Sequence, residues 1–214
     1  LEETYDLSNN GQGICVGRAI TGLEIKIIEI SDSPILKWED AKKLGSNAVG
    51  EIVIKAPWTT KSYFNREDLT QLAKIKDENS FWHRMGDLGK LDEQNRLWFY
   101  GRKNQRVITE TGTLYTIPCE SIFNQHPDVK RSALIGTGPR KKQKPIIVIE
   151  TNNTKRINSS KARENFTEDL LKYGGAFSIT KSIRRVLFHS NFPVDVRHNA
   201  KIFREKISLW AENQ

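Results

Sequence analysis

The stretch 83–105, which reads HRMGDLGKLDEQNRLWFYGRKNQ, constrains the fold most strongly. Two short apolar runs at 88–91 and 96–100 are joined by a polar turn that begins with aspartate, and this pattern predicts a β-hairpin. A Gly-Asp pair precedes the hairpin and a Gly-Arg pair follows it. Asp87 and Arg102 therefore flank the predicted hairpin.

The net charge changes sign at the end of this stretch. Residues 1–100 carry 13 lysines and arginines against 16 aspartates and glutamates, a net charge of −3, whereas residues 101–214 carry 21 against 10, a net charge of +11. Such asymmetry indicates a domain boundary, and we predict one domain over 1–101 and another over 102–214. The basic second half indicates an anionic ligand or partner, although a solvated, lysine-rich surface explains the same charge.

The two halves also differ in their predicted secondary structure. Short β-type segments dominate the first half, while strands and helices alternate through the second, which predicts an α+β fold of ordinary domain size. The segment 1–13 is polar and rich in glycine and asparagine, so a loop is predicted there. Helical patterns are predicted at 161–173, 176–183 and 201–212.

Several classes of protein are disfavoured by what the sequence lacks. No window approaches 18 consecutive apolar residues, so no membrane span is predicted. Cys15 and Cys119 are isolated thiols, which indicates a reducing compartment, and we expect a cytoplasmic location. The four histidines are scattered, so no metal site is predicted. The basic loop 140–144 lacks interleaved aromatic residues, so nucleic acid is not an expected partner.

The beginning of the chain bears on its completeness. The chain starts with Leu1, and Met85 is its sole methionine, so we expect a fragment whose N-terminal part is missing. The sequence also contains no glycine-rich phosphate loop.

Three side chains are candidates for chemistry. Asp87 follows a glycine on a short loop, where a carboxylate can accept hydrogen bonds from two adjacent hydroxyl groups, such as those of a ribose. Arg102 carries the planar, permanently charged group that suits a sugar phosphate, and Lys201 is a mobile positive charge that can reach a phosphate or carboxylate oxygen. Taken singly, each has a simpler explanation: a turn aspartate that caps its own backbone, a surface arginine, and one lysine among many.

The order of three motifs carries more weight than any single residue. The motifs are GEIVIKAPWTTKSYFN, FWHRMGDLGKLDEQNRLWFYGRKNQRVI and NAKIFREKI. In this order and spacing they resemble the adenylate-forming enzymes, namely acyl-CoA synthetases, luciferases and peptide-synthetase adenylation domains. The segments TLYTIPCE and VDVRHNAKIFREKI, and Met85 in place of the usual threonine, are most similar to the β-lactone synthetases of long-chain olefin biosynthesis. The resemblance covers essentially the whole chain, as the C-terminal part of such an enzyme.

The resemblance implies a fold and a role for each candidate. The fold class is α+β, with the β-rich end of a large N-terminal domain followed by a small α+β C-terminal lid domain. Asp87 and Arg102 would bind the ribose of the nucleotide, and Lys201 would be the catalytic lysine that approaches the carboxylate and the α-phosphate. Asn104, two residues after the arginine, would be the hinge of the lid. Asn104 replaces the usual hinge aspartate, and Ala200 replaces the glycine that usually precedes the lysine.

The resemblance also implies an activity. The enzyme would be an ATP-dependent ligase that adenylates a 2-alkyl-3-hydroxy fatty acid and closes it to a β-lactone, releasing AMP and pyrophosphate; the fragment alone would be inactive. Its substrates would be ATP and a long-chain 3-hydroxy fatty acid. Its metal would be Mg2+, with ligands expected upstream of Leu1. Other enzymes of the same pathway are candidate partners. A fatty acyl-CoA synthetase or acyl-AMP ligase is the first alternative, and a basic non-enzymatic binding module is the second.

Overall fold

The computed structural model describes residues 2–195, 197 and 201–214. The strands within these residues are β1 Ile14–Gly17, β2 Glu24–Ile28, β3 Gly50–Lys55, β4 Lys74–Asp77, β5 Ser80–Leu91, β6 Leu97–Arg102, β7 Val107–Thr109, β8 Gly112–Leu114, β9 Val129–Thr137, β10 Lys144–Thr151 and β11 Arg185–Phe188. The α-helices are α1 Glu2–Asn9, α2 Glu67–Ala73, α3 Thr116–Phe123, α4 Ser160–Gly175 and α5 Arg204–Ala211. This mixture of strands and helices confirms the predicted α+β class. Among the helices described, none has both the length and the apolar character that a membrane crossing requires.

The chain divides into two compact units. The first unit is Gly13–Asn104, and the second combines Leu1–Gln12 with Gln105–Gln214. The predicted domain boundary lies three residues before this division. The N-terminal segment, which the sequence assigned to the first domain, groups instead with the second unit because α1 packs against α3.

The first unit is built on one antiparallel sheet. Its strands run in the order β1-β6-β5-β3-β2, and β4 pairs with β5 outside this path. The interior of β3 is rich in β-branched residues, which suit a central strand that is covered by its neighbours. One hydrophobic cluster contains Val53 of β3, Ile75 of β4 and Trp82 of β5. Trp38 covers this cluster, since its ring stacks on that of Trp82 with centroids 4.4 Å apart.

The strands β5 and β6 form the predicted hairpin, although β5 extends well upstream of the predicted strand 88–91. The carboxylate of Asp92 stabilises the turn, because one oxygen accepts hydrogen bonds from the backbone N–H groups of Gln94 and Arg96. The other oxygen accepts the indole N–H of Trp98 at 2.9 Å. A side chain that mimics a backbone acceptor in this way is typical of aspartate at the start of a turn.

The second unit contains a three-stranded sheet and the separate hairpin β7-β8. In the three-stranded sheet β10 is central, with β9 antiparallel and β11 parallel to it. Successive residues of β10 point to opposite faces, as the pleat of a strand requires. Ile147 packs in a cluster with Phe166 of α4, whereas Val148 packs in a second cluster with Ile207 of α5. Helices α4 and α5 therefore cover opposite faces of this sheet.

The segment 1–13 contains a helix where the sequence predicted a loop, so that prediction was wrong. The helix Glu2–Asn9 is held at its end by Gln125, whose side-chain N–H donates to the Asn9 carbonyl at 2.6 Å. Gly11 follows with φ of +77°, a conformation that favours glycine and is typical of a helix end. The glycine and asparagine content thus marks where the helix stops.

Two predicted helices near the C-terminus also differ from the structure. The segment 176–183 forms turns instead of a helix. The terminal helix begins at Arg204 and not at 201, because Ile202 forms an antiparallel bridge with Val194. The N–H of Phe203 also donates to the carbonyl of Pro193 at 2.9 Å, a second contact with the preceding segment.

Candidate functional site

Asp87 in β5 and Arg102 at the end of β6 are cross-strand partners. They occupy opposite positions in the antiparallel ladder, and a guanidinium nitrogen of Arg102 lies 2.8 Å from a carboxylate oxygen of Asp87. The Asp87 side chain is 17% exposed, whereas that of Arg102 is 58% exposed. The hairpin therefore brings together the two residues that the sequence analysis assigned to the nucleotide.

Each member of this pair directly follows a glycine with positive φ. The values are +69° at Gly86 and +119° at Gly101. Residues other than glycine rarely adopt these backbone angles, because their Cβ atom clashes with the backbone. Glycine therefore permits a change of chain direction immediately before each polar residue. The Gly-Asp and Gly-Arg pairs of the sequence are thus two halves of one local structure.

The electrostatics of the pair suit a polar ligand. Burial raises the pKa of the Asp87 carboxyl, and the charge of Arg102 opposes this change. A carboxylate in this position can accept hydrogen bonds from neighbouring hydroxyl groups, which would favour its ionised form. The guanidinium of Arg102, largely exposed, can donate to a sugar or phosphate oxygen at the same time.

A buried ionic network reaches the residue after Arg102, and the sequence analysis missed it. Glu51 of β3 is fully buried and accepts hydrogen bonds from Arg84 at 2.8 and 3.2 Å and from Lys103 at 2.9 Å. Lys103 also donates to the backbone carbonyl of Ser31 at 2.9 Å. The chain is therefore anchored to the middle of the sheet just beyond Arg102. A glutamate inside the apolar strand GEIVIK was the available signal, because a buried charge needs a partner.

Asn104, the predicted hinge, directly follows this anchor. It is exposed and lies in the short 3-10 helix Lys103–Gln105. It is also the last residue of the first unit. The residue before it is fixed by Glu51, so a change of chain direction after the anchor would fall on Asn104. Its role as a hinge stays a prediction.

Lys201 lies in the second unit, and its side chain is exposed. Its backbone is held in place, since its carbonyl accepts the N–H of Asp195 at 3.0 Å and the buried Ile202 forms a bridge with Val194. Ala200, which the sequence analysis singled out, falls outside the residues that the structure describes. The catalytic role of the lysine stays a prediction, and only the two nucleotide candidates are brought together within one unit.

A second buried carboxylate holds the residue three positions after Lys201. Arg204 donates to both oxygens of Glu120 in α3, at 3.1 and 2.5 Å, and Glu120 also accepts the N–H of Leu134 at 2.8 Å. Burial raises the pKa of Glu120, and the charge of Arg204 opposes this change. This pair was not predicted from the sequence, because 84 positions separate its members. The one local signal was a glutamate in the otherwise apolar helix TIPCESIF.

The remaining expectation concerns magnesium, whose ligands were expected upstream of Leu1 and not within this chain. The part of the chain described by the structure contains no group of three or more histidine, cysteine, aspartate or glutamate side chains arranged to hold a metal ion. These residues do not fit a magnesium site, so no chemical step is assigned to a metal held by this chain.

Comparison with known proteins identifies relatives of this chain. No protein-family model matches the chain. The olefin β-lactone synthetase of Xanthomonas campestris pv. campestris is 43% identical over 222 residues, covering 100% of this chain and 39% of the relative. The olefin β-lactone synthetase of Stenotrophomonas maltophilia is 40% identical over 216 residues, covering 99% of this chain and 38% of the relative.

The fold has counterparts among solved structures. The structure of o-succinylbenzoate coenzyme A synthetase from Bacillus subtilis in complex with AMP matches with a TM-score of 0.69 and 24% identity, covering 90% of this chain and 35% of that one. At this identity the likeness shows the fold alone. The chain spans about two fifths of the length of the curated relatives that it matches. The resemblance stated from the motifs is confirmed: over essentially its whole length the chain is similar to olefin β-lactone synthetases, and its fold matches that of adenylate-forming enzymes.

Proposed function

We propose that this chain is the nucleotide-binding and lid-forming part of an enzyme that adenylates a fatty acid with ATP. We further propose that the acid is a 2-alkyl-3-hydroxy fatty acid, which the enzyme closes to a β-lactone. The observation that carries the first proposal is the pairing of Asp87 with Arg102, at 2.8 Å across two strands. The names of the two relatives support the second, because both are called olefin β-lactone synthetases.

The nucleotide is bound through its ribose in this proposal. The two oxygens of the Asp87 carboxylate accept hydrogen bonds from the adjacent 2′- and 3′-hydroxyls, and Arg102 donates to the same sugar. Because Asp87 is mostly buried and Arg102 mostly exposed, the carboxylate forms the base of the site and the guanidinium forms its rim. The anchor at Lys103 keeps the rim residue in register with its partner.

The first chemical step joins the acid to AMP. A carboxylate oxygen attacks the α-phosphorus, the bond from that phosphorus to the bridging oxygen of the β-phosphate breaks, and pyrophosphate leaves with the electron pair. Two anions approach each other in this step, so the positive charge of Lys201 stabilises the charge that accumulates around the phosphorus. An exposed side chain on a fixed backbone suits a group that must reach a substrate.

The second step closes the ring. The oxygen of the 3-hydroxyl attacks the acyl carbon, the bond from that carbon to the phosphate oxygen breaks, and AMP leaves while the hydroxyl proton passes to solvent. The nucleophile belongs to the same molecule as the acyl group, so proximity replaces the binding of a second substrate. We therefore interpret Asn104 as a hinge that does not have to turn the lid to admit a thiol.

The test uses a chimera in which this chain replaces its counterpart in the Xanthomonas campestris relative. With ATP and a 2-alkyl-3-hydroxy fatty acid, the chimera is expected to release pyrophosphate and AMP without coenzyme A. In the same chimera, Lys201→Ala is expected to keep ATP binding within a few-fold and to lose most pyrophosphate release.

The outcomes separate the rival functions. If AMP is released only when coenzyme A is present, the enzyme is an acyl-CoA synthetase and the lactone proposal is wrong. If Lys201→Ala releases pyrophosphate at the unchanged rate, Lys201 is not the catalytic lysine. The Asp87→Asn variant of the active chimera tests the ribose contact. If this variant releases AMP and pyrophosphate with an unchanged KM for ATP, Asp87 does not bind the ribose.

A further inference from the structure

The segment that carries Lys201 has two arms, and a buried glutamate holds each of them. On the incoming arm, Glu150 of β10 accepts the backbone N–H of Phe192 at 2.8 Å. On the outgoing arm, Glu120 of α3 accepts two hydrogen bonds from Arg204. The glutamate side chains are 2% and 6% exposed. Neither carboxylate takes part in the chemistry proposed above, so their burial beside this segment requires another explanation.

The two arms are also joined to each other. Val194 and Ile202 form an antiparallel bridge, and the N–H of Asp195 donates to the carbonyl of Lys201 at 3.0 Å. The side chain of Ile202 is buried in the cluster between the sheet and α5. The Cα of Lys201 is thus fixed by its own carbonyl and by the buried residue that follows, while its side chain is left exposed.

Arg204 attaches this segment to the rest of the unit through three side-chain contacts. Its Nε and Nη2 atoms lie 3.1 and 2.5 Å from the two oxygens of Glu120, and its Nη1 lies 3.4 Å from the side-chain oxygen of Gln105. The guanidinium is planar and rigid, so these contacts fix its orientation as well as its position. Arg204 is the first residue of α5, and its placement therefore sets where the helix begins and where the segment Lys201–Phe203 ends.

We propose that Arg204, held by the buried carboxylate of Glu120, is the positioning residue that places Lys201 for adenylate formation. This inference rests on the proposed function, since it assigns the geometry of the same lysine. A catalytic charge must reach its target within a fraction of an ångström, and misplacement by about 1 Å costs on the order of 100-fold in rate. The long side chain of Lys201 extends the ammonium group towards the substrate, and the pair of Arg204 and Glu120 fixes the position of the backbone that carries it.

The decisive variant is Arg204→Lys in the active chimera described above. Lysine keeps the positive charge beside Glu120 but cannot reproduce the two-pronged geometry of the guanidinium. We expect kcat for pyrophosphate release to fall by about 10- to 100-fold while the KM for ATP changes less than about threefold. Glu120→Gln is expected to give the same pattern, because the amide cannot offer two charged acceptors to Arg204.

A second readout distinguishes positioning from general stability. Preformed acyl-adenylate is supplied to each variant, and its conversion to AMP is measured. Because Lys201 acts in the first step, Arg204→Lys is expected to consume the acyl-adenylate at the unmutated rate. Arg204→Lys combined with Lys201→Ala is expected to be no slower in the first step than Lys201→Ala alone, since the lysine that Arg204 positions is then absent.

The matched control is Asp169→Asn, which removes another acidic partner of an arginine in the same unit. Asp169 has its described ionic contacts with His126 and Arg156, and not with the segment of Lys201. It is expected to leave both half-reactions within about twofold, consistent with its exposed side chain. Thermal unfolding of each variant is recorded alongside.

Three results overturn the inference. Equal losses in both half-reactions, or a loss that the control reproduces, would make Arg204 a residue of general structural importance only. An unchanged kcat in Arg204→Lys would remove it from the positioning of Lys201. These results are distinct from a failure of the proposed function, in which Lys201→Ala itself would retain full pyrophosphate release.

Discussion

Glu51 of β3 and Arg84 of the paired strand β5 form an ion pair diagonally across the ladder, with side chains 0% and 2% exposed. The guanidinium reaches both carboxylate oxygens, at 2.8 and 3.2 Å, and it also donates to the backbone carbonyls of Ser31 and Ser33 and to that of Leu72 in α2. Lys103 completes the network from the end of the hairpin. The sheet therefore contains a charge cluster whose members depend on one another, and this cluster lies directly before the proposed hinge.

Removal of the acidic member of this cluster is expected to be strongly destabilising. Glu51→Gln leaves the buried charge of Arg84 and that of Lys103 without their counter-charge, which costs about 3–5 kcal/mol in the free energy of unfolding. Urea unfolding of the chain measures this loss. The control is Glu29→Gln, which breaks an exposed pair with Lys42 and is expected to cost less than about 1 kcal/mol. Similar losses in the two variants would contradict the assignment of the cluster as a structural anchor.

Substitution by alanine is expected to destabilise the chain to different extents at two glycines of β5. A Cβ at Gly89 would lie 2.4 Å from the carbonyl oxygen of Trp98, a backbone atom that cannot move without distorting β6, so Gly89→Ala is expected to cost about 3 kcal/mol. A Cβ at Gly86 would meet open space, and only its φ of +69° opposes substitution, so Gly86→Ala is expected to cost about 1 kcal/mol. Chemical denaturation of both variants tests the order, and a larger loss at Gly86 would contradict it.

Glu150 is expected to make the stability of the folded chain depend on pH. Burial alone would raise the pKa of this carboxyl, but hydrogen bonds from Lys130, the N–H of Phe192 and Arg131 outweigh burial and lower the pKa below its ordinary value of 4.5. The folded state therefore binds the proton less readily than the unfolded state. The resulting stability is present above pH 4.5 and is lost as the pH falls through the folded-state pKa.

Glu150→Gln tests this dependence. The difference in unfolding free energy between the unmutated chain and this variant is expected to be largest near neutral pH and to shrink as the pH is lowered below about 4. Denaturant unfolding at a series of pH values measures it. A difference that stays constant from neutral to acidic pH would show that the ionised carboxylate is not the stabilising form.

The two cysteines are expected to differ in reactivity. Burial, followed by the nearby charge of Glu120, raises the pKa of the Cys119 thiol to about 12, and the thiolate is the nucleophilic form. Cys15, in the edge strand β1, is only partly buried. Alkylation of the native chain with iodoacetamide at pH 8, followed by mass spectrometry, should therefore modify Cys15 and spare Cys119 until the chain is unfolded. Modification of Cys119 at the rate seen for Cys15 would contradict this expectation.

The features that could be predicted from the sequence are those that depend on residues close together in the chain. The hairpin of β5 and β6 is marked by a turn aspartate and by flanking apolar runs, so the meeting of Asp87 and Arg102 follows from residues close together in the chain. The anchor pairs are different, because 33 positions separate Glu51 from Arg84 and 84 positions separate Glu120 from Arg204. Their glutamates were visible as charges in apolar segments, but no local pattern chooses the arginine that each one binds.

Tertiary contacts account for the remaining differences. The helix Glu2–Asn9 has no buried residue of its own, so its sequence carries no apolar stripe, and its neighbour in space comes from α3 more than 100 positions away. The helix predicted from residue 201 starts at Arg204 because an extended pairing with the preceding segment competes for Lys201–Phe203. Helical periodicity alone cannot weigh that pairing against another turn of helix.

Asp87→Asn is expected to weaken nucleotide binding with little change in fold. The amide has almost the same shape as the carboxylate but loses the charge and one acceptor, and a hydrogen bond to a charged group contributes about 1.5–3 kcal/mol, or roughly 10- to 100-fold in affinity. Titration of the chimera with a non-hydrolysable ATP analogue measures the loss. Asp68→Asn is the matched control, because it removes the same charge from an exposed pair with Arg66 in the same unit and is expected to leave affinity within about twofold. An equal loss in the two variants would mean that net charge, and not contact with the ribose, determines how tightly the nucleotide is held.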